Sequence, residues 1–150
     1  MAFLYRGVNV EMHRANGGRI FAKVSGPFEH VFRVDGTICL NGSATIGPSA
    51  RNAVLAHQLG LPNRPDLHTS GISTTPHLER ARYYATWGGV PGVVYVIDRA
   101  KLAALRVCEH VVTDTVYPLS LAASEDDEVI LVAPGDGELP PAAIVEVIEA

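Results

Sequence analysis

From Gly92 to Asp98 the chain reads Gly-Val-Val-Tyr-Val-Ile-Asp, with five consecutive apolar residues of the β-branched and aromatic kind that favour strands. A run of that length and type predicts a strand, and other strand-like segments surround it. Phe3 to Val8 reads as a first strand, Val111 to Tyr117 and Glu128 to Val132 as later ones, and Ile144 to Ile148 as a last one. Ile20 to Val34 has room for short strands broken at Gly26-Pro27. Two or three helices are interspersed, without strict strand–helix–strand alternation. That pattern predicts an α+β domain rather than a doubly wound parallel sheet.

The helices are read from caps and apolar spacing. Gly47-Pro48-Ser49 opens one, with Pro48 at the first helical position, an apolar side of Ala50, Ala53, Val54 and Leu55, and Gly60 at its end. Gly71 to Thr75 reads as a short strand running into a second helix, capped by Thr75 with Pro76 at its first position. Leu78, Ala81, Tyr84 and Ala85 then recur at helical spacing, and Gly88-Gly89 stops the helix. Asp98-Arg99 starts a short helix through Leu105. Asn16-Gly17-Gly18 and Asn41-Gly42-Ser43 are turn signals, and Leu61 to Thr69 is a Pro- and Asn-containing loop. No repeat and no linker interrupts the 150 residues, which are read as one domain, 1–150.

Several classes are set aside. No uncharged run reaches about 18 residues, so no membrane-spanning helix is expected. Met1-Ala-Phe-Leu-Tyr-Arg lacks the basic start and long apolar stretch of a signal peptide, which implies a cytoplasmic protein or one delivered into a target cell's cytoplasm. Cys39 and Cys108 are too few for a disulfide framework; two reduced thiols is the plain reading and a single long-range disulfide the alternative. No His pair has helical zinc-site spacing, so no metal is expected. Walker A, GxGxxG and GxSxG motifs are all missing.

Charge divides the chain. Residues 1–106 carry all 12 Lys and Arg against six Asp and Glu, whereas residues 107–150 carry ten acids and no Lys or Arg. A solvated acidic end explains this plainly. A site in which a basic half meets an anion and an acidic half meets a developing cation explains it chemically. No basic run marks a nucleic-acid scaffold, although a locally basic groove stays open.

Three segments carry chemistry. Leu4-Tyr5-Arg6-Gly7 lies on the first strand. Gly71-Ile72-Ser73-Thr74-Thr75 precedes the helix with Ala81, Tyr83, Tyr84 and Ala85. Glu125-Asp126-Asp127-Glu128-Val129-Ile130-Leu131 opens a late strand and is followed by Leu139-Pro140-Pro141 and Ile144. In this order, with Gly92 to Asp98 between them, the segments resemble the mono-ADP-ribosyltransferases of the arginine–serine–glutamate class, which include bacterial toxins of the pertussis and pierisin types.

The resemblance implies two antiparallel sheets packed around a central NAD cleft, and cleavage of the nicotinamide–ribose bond of NAD⁺ as substrate. Arg6 would grip the pyrophosphate, since a guanidinium is always charged and forks onto phosphate oxygens. Gly7 would let the nicotinamide amide approach the backbone, and Ser73 would orient ribose and carboxylate; Thr74 is read either as part of the cofactor site or as structural. Glu128 would stabilise the ribose oxocarbenium charge of the transition state. Tyr84 is read either as packing near the nicotinamide or as core, and Trp87 as packing. Two residues before the catalytic Glu the family has Glu or Gln, which engages the acceptor; here Asp126 stands there, one methylene shorter than Glu. The acceptor is therefore left as a protein or a nucleic acid, with an immunity protein or antitoxin as a further expected partner. A toxin, effector or defence enzyme is the implied role. The alternatives are an NAD glycohydrolase with water as acceptor, or a non-catalytic binding module.

Overall fold

The computed structural model describes residues 2–24, 27–29, 49–59, 69–115, 123–135 and 137–150. Its strands are β1 (Phe3–Asn9), β2 (Ile72–Thr74), β3 (Gly92–Asp98), β4 (Cys108–Val111), β5 (Val129–Val132) and β6 (Ile144–Glu149). Its α-helices are α1 (Val10–Ala15), α2 (Ala50–Leu59) and α3 (Leu78–Ala85). The strands form two antiparallel three-stranded sheets, in the orders β1-β3-β6 and β2-β5-β4. The expected α+β class with two antiparallel sheets is what the chain adopts.

The apolar run in β3 makes sense of the first sheet. β3 is central, so both its faces are covered: Tyr95 and Ile97 join Leu4 and Val8 of β1 on one side, and Val94 packs with Ala81 and Ala85 of α3 on the other. The second sheet turns Ile72, Val129 and Leu131 into the same core as Leu4 and Tyr95. Its other face, through Ile130, receives Phe28 and α2 by way of Ala53, Val54 and Ala56. The two sheets are stitched together by one bridge, Tyr5 to Thr75, with N–H···O distances of 2.8 and 3.0 Å.

Alternation decides which side chains reach the site. Leu4, Arg6 and Val8 share one face of β1 because side chains alternate along a strand, so Arg6 projects between the sheets alongside two core residues. On the second sheet Ser73 pairs with Ile130, which directs Ser73 to the α2 side. Glu128, two residues before Ile130, follows the same alternation.

Some local expectations are corrected. Thr75 does not cap α3: His77 holds that position without a side-chain cap, and Thr75 is instead tied into the bridge with Tyr5. Of the predicted strand Val111 to Tyr117, Val111 ends β4 (Cys108–Val111), which pairs with β5, and Val112–Asp114 is a 3-10 turn; residues 116–117 lie outside the described residues. The short helix after Asp98 is a 3-10 turn over Arg99–Lys101, capped by Asp98. α2 begins at Ala50, with the Ser49 hydroxyl accepting from Asn52 N–H at 3.0 Å. α1 had no counterpart in the sequence reading; Asn9 caps it by accepting from Met12 N–H at 2.7 Å. Within Ile20 to Val34, Phe21 makes an isolated bridge to Glu138, and residues 25–26 and 30–34 lie outside the described residues. Pro48, the Asn41-Gly42-Ser43 turn, Gly60, Cys39 and the loop up to His68 lie outside the described residues. Cys108 is an exposed free thiol. Among the described residues no helix is long and apolar enough to cross a membrane.

Candidate functional site

A cavity of about 450 Å³ opens where the two sheets and α3 meet, within the range of roughly 300–1,000 Å³ usual for small-molecule sites. Arg6, Gly7, Ser73 and Thr74 line it, as do Tyr84, Asp126 and Glu128. All seven residues singled out from the sequence therefore face one space. Three neighbours that the sequence reading passed over, His57, Lys23 and Phe21, line it too.

The Glu128 side chain is only 14% exposed. The residue before it, Asp127, has a left-handed backbone with φ of 48°, which sharpens the turn that delivers Glu128 to the start of β5. Three side chains hold the carboxylate. Ser73 Oγ donates to Oε2 at 3.0 Å, His57 Nε2 lies 3.1 Å from the same oxygen, and Gln58 Nε2 donates to Oε1 at 2.8 Å. Burial pushes the Glu128 pKa up, but the hydrogen bond and, when protonated, the charge of His57, together with the bonds from Gln58 and Ser73, outweigh it. The carboxyl is held below the usual glutamate range. Glu128 is thus kept ionised inside a cavity, which suits it to face a developing positive charge.

The ring of His57 is oriented from its other side. Nδ1 lies 3.0 Å from Thr69 Oγ1, and that oxygen accepts from Gly71 N–H at 3.2 Å. The tautomer with its proton on Nε2 satisfies every contact: Thr69 donates to Nδ1, and Nε2 donates to Glu128.

Arg6 reaches the same cluster from the first sheet. Its Nη1 donates to the Ser73 carbonyl at 2.9 Å. Burial draws the guanidinium pKa down, while the charge of Glu128 and the Tyr95 hydroxyl raise it. Ser73 thereby joins the two charged groups, carbonyl to Arg6 and hydroxyl to Glu128. Lys23 adds a second, exposed cation to the lining.

Gly7 and Thr74 have clear structural duties. A Cβ on Gly7 would sit 1.9 Å from the Ala81 carbonyl oxygen, so its missing side chain lets α3 lie against β1. Thr74 donates to the Val129 carbonyl at 2.6 Å across the β2–β5 pair. Tyr84 is not core: it is 42% exposed, and its hydroxyl donates to Asp126 Oδ2. Trp87 is likewise not packed inside. It is 64% exposed and stacks edge-on against Tyr83, because the chain turns away after α3 through Gly88 and Gly89, both at φ of 76°.

Asp126 is the largest surprise. This acid from an apparently solvated run is 8% exposed; Arg80 Nε donates to its Oδ1 at 2.7 Å and Tyr84 to its Oδ2.

Fold and site define an α+β protein in which a fixed carboxylate and a guanidinium, linked by one serine, share a polar cavity. The chain belongs to the NarE family, whose model matches residues 3–124. The matched span takes in Arg6, His57 and Ser73 and ends just before Asp126 and Glu128. No curated protein matches the chain significantly.

Proposed function

We propose that this chain is an NAD⁺-dependent mono-ADP-ribosyltransferase. The observation that carries the reading is the Glu128 carboxylate, kept ionised by Ser73, His57 and Gln58 in a cavity that Arg6 also lines. Breaking the bond between nicotinamide and ribose sends the bonding pair to nicotinamide and leaves positive charge on the ribose. A carboxylate already oriented by three donors stabilises that charge without reorganising, which is how preorganised electrostatics lowers a barrier. Arg6 and Lys23 supply the cations that a pyrophosphate needs, and Arg6 is the more rigid because it sits on a paired strand. Ser73 keeps the two ends of the site in register, since a shift of β2 would disturb both of its bonds at once.

The reading extends to a bacterial toxin, effector or defence enzyme whose acceptor is a protein or a nucleic acid. The test is to supply labelled NAD⁺ to the purified chain with a cell lysate, then separate protein from RNA and DNA. Label should appear in one fraction and nicotinamide should be released. Absence of both would remove the proposal. Free ADP-ribose made at a rate indifferent to lysate would replace it with NAD⁺ hydrolysis.

A further inference from the structure

His57 meets Glu128 on one side and Thr69 on the other, and the second contact sets the character of the first. Thr69 is buried and lines the cavity just ahead of β2. Gly71 N–H donates to its Oγ1 at 3.2 Å, and the same oxygen lies 3.0 Å from His57 Nδ1. With a backbone donor already on that oxygen, the hydroxyl has its own proton to give, and among the described residues Nδ1 is the acceptor it meets. A carboxylate at this place would do the reverse: it would accept from Nδ1 and favour an imidazolium. The charge of the ring matters because His57 Nε2 lies 3.1 Å from Glu128 Oε2. A neutral imidazole donates a hydrogen bond there and leaves the carboxylate its charge. An imidazolium would offset that charge where a ribose cation has to form. Glu128 itself favours the imidazolium by contact. The other charged groups lining the cavity divide, Asp126 favouring it and Arg6 and Lys23 opposing it, and Asp126 is already engaged by Arg80. Thr69 is the group that acts on the ring directly, at its other nitrogen.

We propose that Thr69 is a positioning residue that acts through His57: by donating to Nδ1 it holds His57 as a neutral Nε2–H donor, so that Glu128 is oriented without being neutralised. The effect on turnover rests on the ADP-ribosyltransferase reading; the protonation state of His57 stands apart from it. The two other states of the ring each break a contact. A proton on Nδ1 alone would turn the bare lone pair of Nε2 toward the Glu128 carboxylate. A proton on both nitrogens would make Thr69 Oγ1 accept from Gly71 and from Nδ1 together, and its own hydrogen would have no partner among the described residues. The neutral Nε2–H form leaves each donor facing an acceptor, from the Gly71 backbone through Thr69 and His57 to Glu128.

The test uses the full chain with isotope-labelled histidine. Long-range proton–nitrogen NMR at neutral pH separates the two neutral tautomers from the imidazolium, and the spectrum of His57→Gln identifies the His57 signals. The wild type and Thr69→Ser should both show the Nε2–H tautomer. Thr69→Asp still accepts from Gly71 but also accepts from Nδ1, and should turn His57 into the imidazolium. Its kcat for NAD⁺ cleavage should fall by about tenfold or more with a smaller change in KM, whereas Thr69→Ser should keep the wild-type kcat. Thr69→Val, which keeps the shape and loses the donor, should lower kcat in the same direction and serves if the Asp variant does not fold. A merely structural Thr69 predicts no link between the His57 spectrum and kcat among folded variants. An imidazolium or an Nδ1–H tautomer in the wild type overturns the proposal without any variant being needed. Wild-type kcat in a folded Thr69→Asp that carries the imidazolium, or in folded Thr69→Val, overturns it while leaving NAD⁺ cleavage intact. No nicotinamide release from a wild type that shows the Nε2–H tautomer overturns the underlying reading, and with it the catalytic part of the proposal.

Discussion

Gln58 Nε2 lies 2.8 Å from Glu128 Oε1, the carboxylate oxygen that Ser73 and His57 leave alone. The carboxylate is therefore pinned at both ends, from β2 on one oxygen and from α2 on both. A buried hydrogen bond to a charged group contributes about 1.5–3 kcal/mol. Gln58→Ala should accordingly lower kcat for NAD⁺ cleavage by roughly tenfold or more with a smaller change in KM. A variant as active as wild type would show that the contact only packs α2.

The depressed pKa of Glu128 has a stability consequence. Its folded-state value lies below that of an unfolded glutamate, about 4.3. The ionised group therefore stabilises the fold at pH above that unfolded value, and the contribution is lost as pH falls through the folded-state value. The melting-temperature gap between wild type and Glu128→Gln should be wider at neutral pH than near pH ~3. An equal gap at both would mean the carboxylate is not held as described. For the same reason His57→Ala, which removes a donor, should move the acid limb of the activity profile to higher pH.

Arg6 and Glu128 should separate kinetically. Arg6→Ala removes a cation expected to act on the bound dinucleotide in ground and transition states alike, so KM for NAD⁺ should rise more than kcat falls. The reverse pattern in steady-state kinetics would require their roles to be exchanged.

Gly7→Ala tests the packing of α3 on β1. The added Cβ would lie 1.9 Å from Ala81 O and 2.9 Å from Ala85 N, both backbone atoms that can move only if the helix moves. Overpacking of this kind costs about 1–3 kcal/mol or more, and thermal unfolding should show a drop of several degrees. An unchanged melting temperature would mean that α3 sits further from β1.

The strands that carry Arg6 and the residue following Glu128 were legible as short, largely apolar runs, and the one that carries Ser73 as a short β-branched segment after Gly71. The central place of β3 follows from its being apolar on both faces. Less visible was what depends on partners. Thr75 looks like a cap next to Pro76, but its backbone pairs with Tyr5, a contact 70 residues away in sequence. Asp126 looks like one more exposed acid in Glu125-Asp126-Asp127-Glu128, and only α3 coming alongside buries it. His57 and Gln58 carry a weak local signal: polar residues ending a helix whose preceding five residues, Asn52 to Ala56, are all buried. Their meeting with Glu128 spans about seventy residues and belongs to no local pattern.

Nicotinamide release from NAD⁺ by the wild type and by Glu128→Gln, at equal protein and saturating NAD⁺, bears most directly on the central claim. The fixed carboxylate predicts a fall in turnover of roughly 10²–10³-fold in a variant that still folds and still binds NAD⁺. Equal turnover in the two proteins would contradict it.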